Sequence, residues 1–320
     1  MRKNLILLFF LAQPLSASPR YGLVQVPVAD VRSSSGSLPA SFDFDPNEET
    51  QVLYGEPVDI LGESGGWLNI RAAEQLEFSH HNVWEGYPGW VKKEAVTLSD
   101  KTLEPKFIVK KKIGRLHSRP DEKSPFVPLS IGAKLVETGA QKNGFWKVKT
   151  VQGKTAWILK SQVRLLTPPL PEEYSRKMIV ENASQLLGDL YFWGGRSAHM
   201  PEPPGQVSSV DCSGLTNLAY RVAGIDIPRD SYEQYLKARK IKKEALKMGD
   251  LIFSAAKDKP EKISHVAIFV DTAAILEAPK TGETVRKISF EQKYGLSFDQ
   301  IKEGEPVGER FLYFGTYFDR

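Results

Sequence analysis

Cysteine is almost absent from this chain: its 320 residues hold one, Cys212. One cysteine excludes an internal disulfide. Long apolar runs are absent too. Leu5 to Ala12 is too short to span a bilayer, and no later segment is long and apolar enough to do so. Charge of one sign is not in excess either, with 43 basic against 39 acidic residues and a net +4. That balance argues against a nucleic-acid partner. The basic runs Lys110–Lys112 and Lys237–Lys243 lack the interleaved aromatics of a strand-binding groove and read as solvated faces. What remains is ordinary for a globular chain, at 41% hydrophobic and 26% charged residues, and its length suits two or three domains.

The first residues have the form of a signal peptide over 1–18. Arg2 and Lys3 give the positive flank, Leu5 to Ala12 the apolar run, and Ser16-Ala17-Ser18 the small residues for cleavage. No cysteine follows that run, which excludes a lipid anchor on cysteine. The expectation is an exported, soluble monomer of the periplasm or cell envelope, with no membrane contact after cleavage. In an oxidising compartment a lone thiol is either buried and inert or kept for its reactivity.

Composition shifts divide the rest. Residues 20–98 and 103–166 are short β-type runs broken by Gly, Pro and Ser. Residues 167–173 form a stiff proline-rich linker, and 174–320 mix helix and strand patterns. The first two blocks read as a diverged repeat. Gly65-Gly66-Trp67-Leu68-Asn69-Ile70 and Gly86-Tyr87-Pro88-Gly89-Trp90-Val91 correspond to Asn143-Gly144-Phe145-Trp146-Lys147-Val148 and Gly153-Lys154-Thr155-Ala156-Trp157-Ile158. Apolar and polar residues alternate in each, the period of a half-buried sheet, with the tryptophans read as core. The first block carries an insertion from Glu74 to Trp84. Its adjacent His80 and His81 have no companions at ligand spacing, so the insertion reads as a solvated loop without metal. In the third block Met178, Ile179, Ala183, Leu186 and Leu187 predict a helix, and a second should run from Cys212 to Gly224. Strands are predicted over 250–254, 265–271, 274–277 and 311–316. Helices followed by an antiparallel sheet give an α+β layout.

Cys212 stands in Val210-Asp211-Cys212-Ser213-Gly214-Leu215. With Asp211 as N-cap, the thiol lies in the first helical turn, where unpaired N–H groups and the helix dipole favour a thiolate. A thiolate nucleophile needs a base. The block offers His199, in a Pro-rich loop, and His265, at the start of a strand beside Gly249-Asp250-Leu251; His265 is the better placed.

These residues resemble the NlpC/P60 family of cell-wall cysteine peptidases. The matching motifs are Tyr191 to Gly195, Asp211 to Gly214, Pro228-Arg229-Asp230-Ser231, Gly249-Asp250-Leu251 and His265-Val266-Ala267-Ile268, in family order. The first two blocks resemble bacterial SH3 domains. The implied architecture is two small all-β SH3-like barrels followed by an α+β papain-like catalytic domain. Cys212 is the implied nucleophile and His265 the base. The third catalytic position, usually His, Asn or Gln, falls on Glu277, whose carboxylate can orient the imidazole. The resemblance is greatest to the subfamily that cleaves γ-D-glutamyl–diamino acid bonds, here diaminopimelate, in peptidoglycan stem peptides or muropeptides. It implies that Glu56, Tyr87 and Asp211 hold the ammonium of a free N-terminal L-Ala. It also implies that Ser213, Arg229 and Ser231 hold the D-Glu portion and that Trp193 walls the pocket. No cofactor is implied. The alternatives are a D,L-endopeptidase anchored to intact murein by its SH3-like units, and a non-catalytic murein-binding protein.

Overall fold

The structure is a computed structural model that describes residues 20–36, 44–99, 104–200 and 207–319. The expected leader, residues 1–18, lies outside the described residues.

Seven antiparallel strands form the first sheet: β1 (Arg20–Val24), β2 (Val28–Arg32), β3 (Glu48–Leu53), β4 (Pro57–Ser64), β5 (Trp67–Glu77), β6 (Glu85–Lys92) and β7 (Val96–Ser99). Their spatial order is β3-β2-β6-β5-β4-β1-β7. The second sheet contains β8 (Phe107–Val109), β9 (Ile113–His117), β10 (Pro125–Ser130), β11 (Lys134–Lys142), β12 (Phe145–Lys149), β13 (Thr155–Leu159) and β14 (Val163–Leu165). Its order, β10-β9-β13-β12-β11-β8-β14, repeats the first position for position. The two cores are mainly aliphatic: Val24, Val52, Val58, Ile70 and Val91 in one, Val109, Leu116, Leu129, Val148 and Ile158 in the other. Of the four motif tryptophans only Trp67 is buried. Trp90, Trp146 and Trp157 are half-buried, because strand alternation turns them towards the rim.

The expected closed barrels do not appear. β3 and β7 remain edges of the first sheet, β10 and β14 of the second. A side chain of the β3 edge finds partners outside the sheet. Gln51 donates from Nε2 to the Val207 carbonyl (2.7 Å) and accepts from the Arg196 N–H at Oε1 (3.1 Å). Nor is the insertion after Glu74 merely a solvated loop. A register shift between Ala72 and Leu76 lets β5 run on, so that Leu76 faces Gly86 and Glu77 faces Glu85.

The remaining chain contributes helices α1 (Glu172–Ser184), α2 (Cys212–Ala223), α3 (Ser231–Lys237) and α4 (Phe290–Tyr294). It also forms an antiparallel sheet of β15 (Arg239–Lys240), β16 (Leu251–Ala256), β17 (Ile263–Phe269), β18 (Ala274–Glu277), β19 (Arg286–Ser289) and β20 (Arg310–Thr316), ordered β15-β20-β16-β17-β18-β19. Helix α2 is buried along its whole length and stops at Gly224, whose φ of 90° is open to glycine at little cost. Its Leu215, Leu218 and Val222 pack with Leu251, Val266 and Ile268 of the sheet. Leu53, Ile108 and Ile131 from the two N-terminal sheets join the same core. Burial of one continuous apolar cluster fixes the three parts against each other.

Candidate active site

Asp211 caps α2: its Oδ1 accepts the Gly214 N–H at 2.6 Å. Cys212 is therefore the first helical residue, and it is buried. The preceding motif is threaded through this helix start. The Gly195 carbonyl accepts the Asp211 N–H (3.0 Å), and Asp211 Oδ2 accepts the Gly194 N–H (3.0 Å). A Cβ on Gly214 would stand 2.1 Å from the Gly195 carbonyl oxygen, and one on Gly195 would stand 2.6 Å from the Ser209 carbonyl oxygen. The glycines at these two places therefore permit backbone-to-backbone approach.

The sheet supplies the imidazole. His265 on β17 faces Glu277 on β18, with Nε2 2.8 Å from Oε2. The Val266 N–H, next in the chain after His265, acts on the Cys212 thiol. Glu277 is fully buried and holds further cations. Arg286 donates to its Oε1 from Nη2 (2.9 Å) and Nε (3.1 Å), and Lys293 donates to its Oε2. Burial opposes its ionisation, but the His265 hydrogen bond and the charges of His265 and Lys293 outweigh it and hold its carboxyl at about 2.

Burial governs the other two groups. It pushes the Cys212 thiol up to about 12, and the Asp211 charge pushes the same way. The Val266 N–H, Arg229 and the Ser213 N–H act against them. The thiolate expected from the helix start is thus not the favoured form in the free site, because loss of water outweighs the helix N–H groups. Burial likewise lowers the His265 pKa against the pull of Glu277. Burial thus works against charge on both groups, and a proton can pass from thiol to imidazole as charge develops on an incoming carbonyl. With Nε2 committed to Glu277, the nitrogen left for that proton is Nδ1. His199 stands apart: its Nδ1 lies 3.1 Å from the Ser208 carbonyl.

Arg229 has no exposure and no donor to spare. It donates to Asp211 at both oxygens (3.1 and 2.8 Å), to Ser213 Oγ (2.9 Å), to Thr50 Oγ1 on β3 (2.7 Å), and more distantly to Asp230 Oδ1 and the Gly195 carbonyl. Arg229, Asp211 and Ser213 therefore form a buried brace between the helix start and the first sheet, rather than a cradle open to a carboxylate. Glu56 is placed the same way. Only 2% exposed, it pairs with Arg196 (2.9 Å) and Arg221 (2.9 Å) and accepts the Leu53 N–H (3.1 Å). Two guanidiniums saturate it, so it is not open to a ligand ammonium. Trp193 is 52% exposed beside the helix start and remains available as a wall. Ser231, half-buried, opens α3.

Tyr87 is the expected residue that does stand in an acidic recess. Its Oη donates to Asp230 Oδ2 (3.0 Å) and lies 3.4 Å from Glu49 Oε2. The Asp230 carboxyl is raised to about 7 by partial loss of water, with Asp211 and Glu233 adding to the effect against Arg229, although its side chain keeps 38% exposure. His80 closes the recess, its Nε2 3.4 Å from Glu49 Oε2 and its Nδ1 3.0 Å from Glu77 Oε2. The hydrogen bond to Glu49 is the main reason its pKa rises to about 9. Sequence reasoning missed Glu49 and Asp230 as members of this group. It also missed Arg196 and Asn217, which bond at 2.7 Å in the buried brace. Glu49 follows Glu48 in a strand that alternates inward and outward residues, which was the available signal that one of the two faces out.

A helix-start cysteine and a carboxylate-paired histidine at the start of a strand are the residue types that thiol-type hydrolysis requires. Comparison with known proteins makes the class specific. Residues 188–298 match the model of the NlpC/P60 family. It is 29% identical over 251 residues to a gamma-D-glutamyl-L-lysine dipeptidyl-peptidase of Bacillus cereus, covering 75% of this chain and 70% of the relative. A protein of the same name from Bacillus subtilis is 27% identical over 254 residues, covering 76% of each. Among solved structures, an NlpC/P60 family protein from Bacillus cereus superposes with a TM-score of 0.76 at 23% identity, over 93% of this chain and 99% of the other, and so shares its fold. The chain is thus similar to proteins named as peptidases.

Proposed function

We propose that this chain is a cysteine peptidase that cleaves the γ-D-glutamyl–diamino acid bond of peptidoglycan stem peptides bearing a free N-terminal L-Ala. Cys212 Sγ attacks the γ-carbonyl while its proton passes to His265 Nδ1. The backbone N–H of Cys212, at the helix start, faces the developing oxyanion. His265 hands its proton to the leaving amine as the amide bond breaks. Water then adds to the thioester, with His265 again taking the proton, and the acid is released with the thiol restored. Glu277 holds the imidazole and offsets its positive charge in both steps.

One observation carries the preference for a free amine. The recess of Glu49, Tyr87 and Asp230 is built partly by the first sheet, and one guanidinium, that of Arg229, joins it to the residue preceding the nucleophile. Two carboxylates and a phenol suit an ammonium group. Joined through Arg229 to the residue before the nucleophile, they would cap the cleft and admit stems already cut from glycan. The names of the two relatives, dipeptidyl-peptidases acting at γ-D-glutamyl-L-lysine, fit this reading. The diamino acid is diaminopimelate or lysine, since the bond attacked is the same. The two N-terminal sheets act as SH3-like units with open edges, and the leader over 1–18 directs the protein to the envelope.

The test is mass spectrometry of L-Ala-γ-D-Glu-diaminopimelate, its lysine counterpart and their N-acetyl forms after incubation with the protein and with Cys212→Ala. The expected result is cleavage of the free-amine peptides by the parent alone. Equal cleavage of acetylated peptides overturns the cap, and no cleavage of any peptide overturns the activity.

A further inference from the structure

We infer that Glu77, His81 and Glu85 form a binding site for a divalent cation of the zinc class. Glu77 ends β5, Glu85 begins β6, and the two face each other in register across the antiparallel pair. Like charges directly opposite on a sheet repel. Here one of them is nearly fully buried, with Glu77 only 1% exposed, and Glu85 is largely covered. The connecting turn folds His81 back, with its Nδ1 2.5 Å from Glu85 Oε1. One donor atom from each of the three side chains lies within 4.8 Å of the other two. Two ligands bound to one zinc ion at about 2.0–2.2 Å sit at most about 4.4 Å apart, so small side-chain adjustments gather the set.

The independent pointer is Glu77 Oε1. It is buried and, among the described residues, has no hydrogen-bond partner. An unpaired carboxylate oxygen is costly in a buried place. Its sister Oε2 is held by the His80 backbone N–H (3.1 Å) and ring (3.0 Å), which fixes the carboxylate as an outer-shell partner fixes a metal ligand and leaves Oε1 uncommitted. Arg71 takes Glu85 Oε2 (2.6 Å) and leaves Oε1 on the His81 side. One imidazole and two carboxylates suit zinc and its neighbours, with water completing the coordination. This departs from the expectation that the histidine pair carries no metal. Companions at ligand spacing do exist, but the β5–β6 pairing supplies them.

The role is positional. The ion would pin the turn whose His80 reaches Glu49, and whose Phe78 and Trp84 rings meet at a tilt, 5.4 Å apart, with Lys237 of α3 over Trp84.

The experiment titrates Zn2+ and Co2+ into the full chain carrying Cys212→Ala, which removes the competing thiol, by calorimetry and visible absorption. One equivalent should bind. His81→Ala and Glu85→Gln, each added to that background, should weaken binding by at least about 10–100-fold, the loss that follows even from removing an outer-shell partner. In the Cys212→Ala protein itself, Mn2+ should broaden the His81 imidazole resonances before those of His117 and His199. Failure to bind one equivalent, equal affinity in both variants, or broadening that spares His81 overturns the site.

Discussion

His265 Nε2 lies 2.8 Å from Oε2 of Glu277, a carboxylate with no solvent exposure. A full negative charge behind the imidazole acts differently from a neutral group. Burial lowers the His265 pKa and Glu277 raises it, with Lys293 and Arg310 on the side of burial. Glu277→Gln keeps a hydrogen-bond acceptor and removes the charge. We expect kcat to fall about 10–100-fold, because the imidazolium formed during attack loses its counter-charge. The neutral imidazole is the active form. Losing the carboxylate lowers its pKa further, so the acid limb of the kcat/KM profile should move to lower pH. A pH–rate profile with an unmoved limb would remove Glu277 from the catalytic group.

Asp230 gives the second prediction, which rests on the proposed amine recess. Its carboxyl, raised to about 7, faces Arg229, Asp211, Glu233 and Tyr87. A carboxylate attracts an ammonium and a carboxylic acid does not. KM for free-amine peptides should therefore rise as pH falls from 8 to 6, by up to about 10-fold per unit below the pKa. Asp230→Asn should raise KM at pH 8 and flatten this dependence while leaving kcat within a few-fold. Steady-state kinetics across that range decide the matter; a steep dependence surviving in the variant assigns it elsewhere.

Gly214→Ala tests how the two glycine-containing motifs interlock. In an open helix this change stabilises by about 1 kcal/mol. Here the new methyl would stand 2.1 Å from the Gly195 carbonyl oxygen, a backbone atom that cannot turn away. Overpacking should win, with a net loss of about 1–3 kcal/mol and a lower Tm by calorimetry. A raised Tm would show that the helix start tolerates more space than its contacts indicate.

Arg229→Lys separates the buried brace from a substrate cradle. Breaking a buried, multiply bonded ion pair costs about 3–5 kcal/mol, and lysine replaces few of these bonds. The variant should melt markedly lower. At temperatures where it stays folded, KM for peptides with and without the D-Glu α-carboxylate should change in parallel. A selective loss for the carboxylate-bearing peptide would restore Arg229 to direct binding.

Some of this protein was present in its sequence. The helix from Cys212 to Gly224 was legible because its cap, its glycine stop and its apolar period are local signals. The repeat was legible for the same reason, and the two sheets do share one strand order. The pairing of His265 with Glu277 could be anticipated because the two strands are neighbours in the chain.

What tertiary structure alone decided involves charge and burial between distant segments. Glu56, Arg229 and Asp211 are polar residues in exposed-looking motifs, yet packing of the first sheet on α2 buries them together and consumes their bonding capacity. Glu49, rather than Glu56, reaches Tyr87, because the fold of β3 turns Glu49 outward towards β6 and α3. The helix dipole argues for a thiolate, but only the fold sets how much water Cys212 loses, and that loss decides its charge. Sequence spacing carries short-range geometry; desolvation depends on what the rest of the chain brings to the same place.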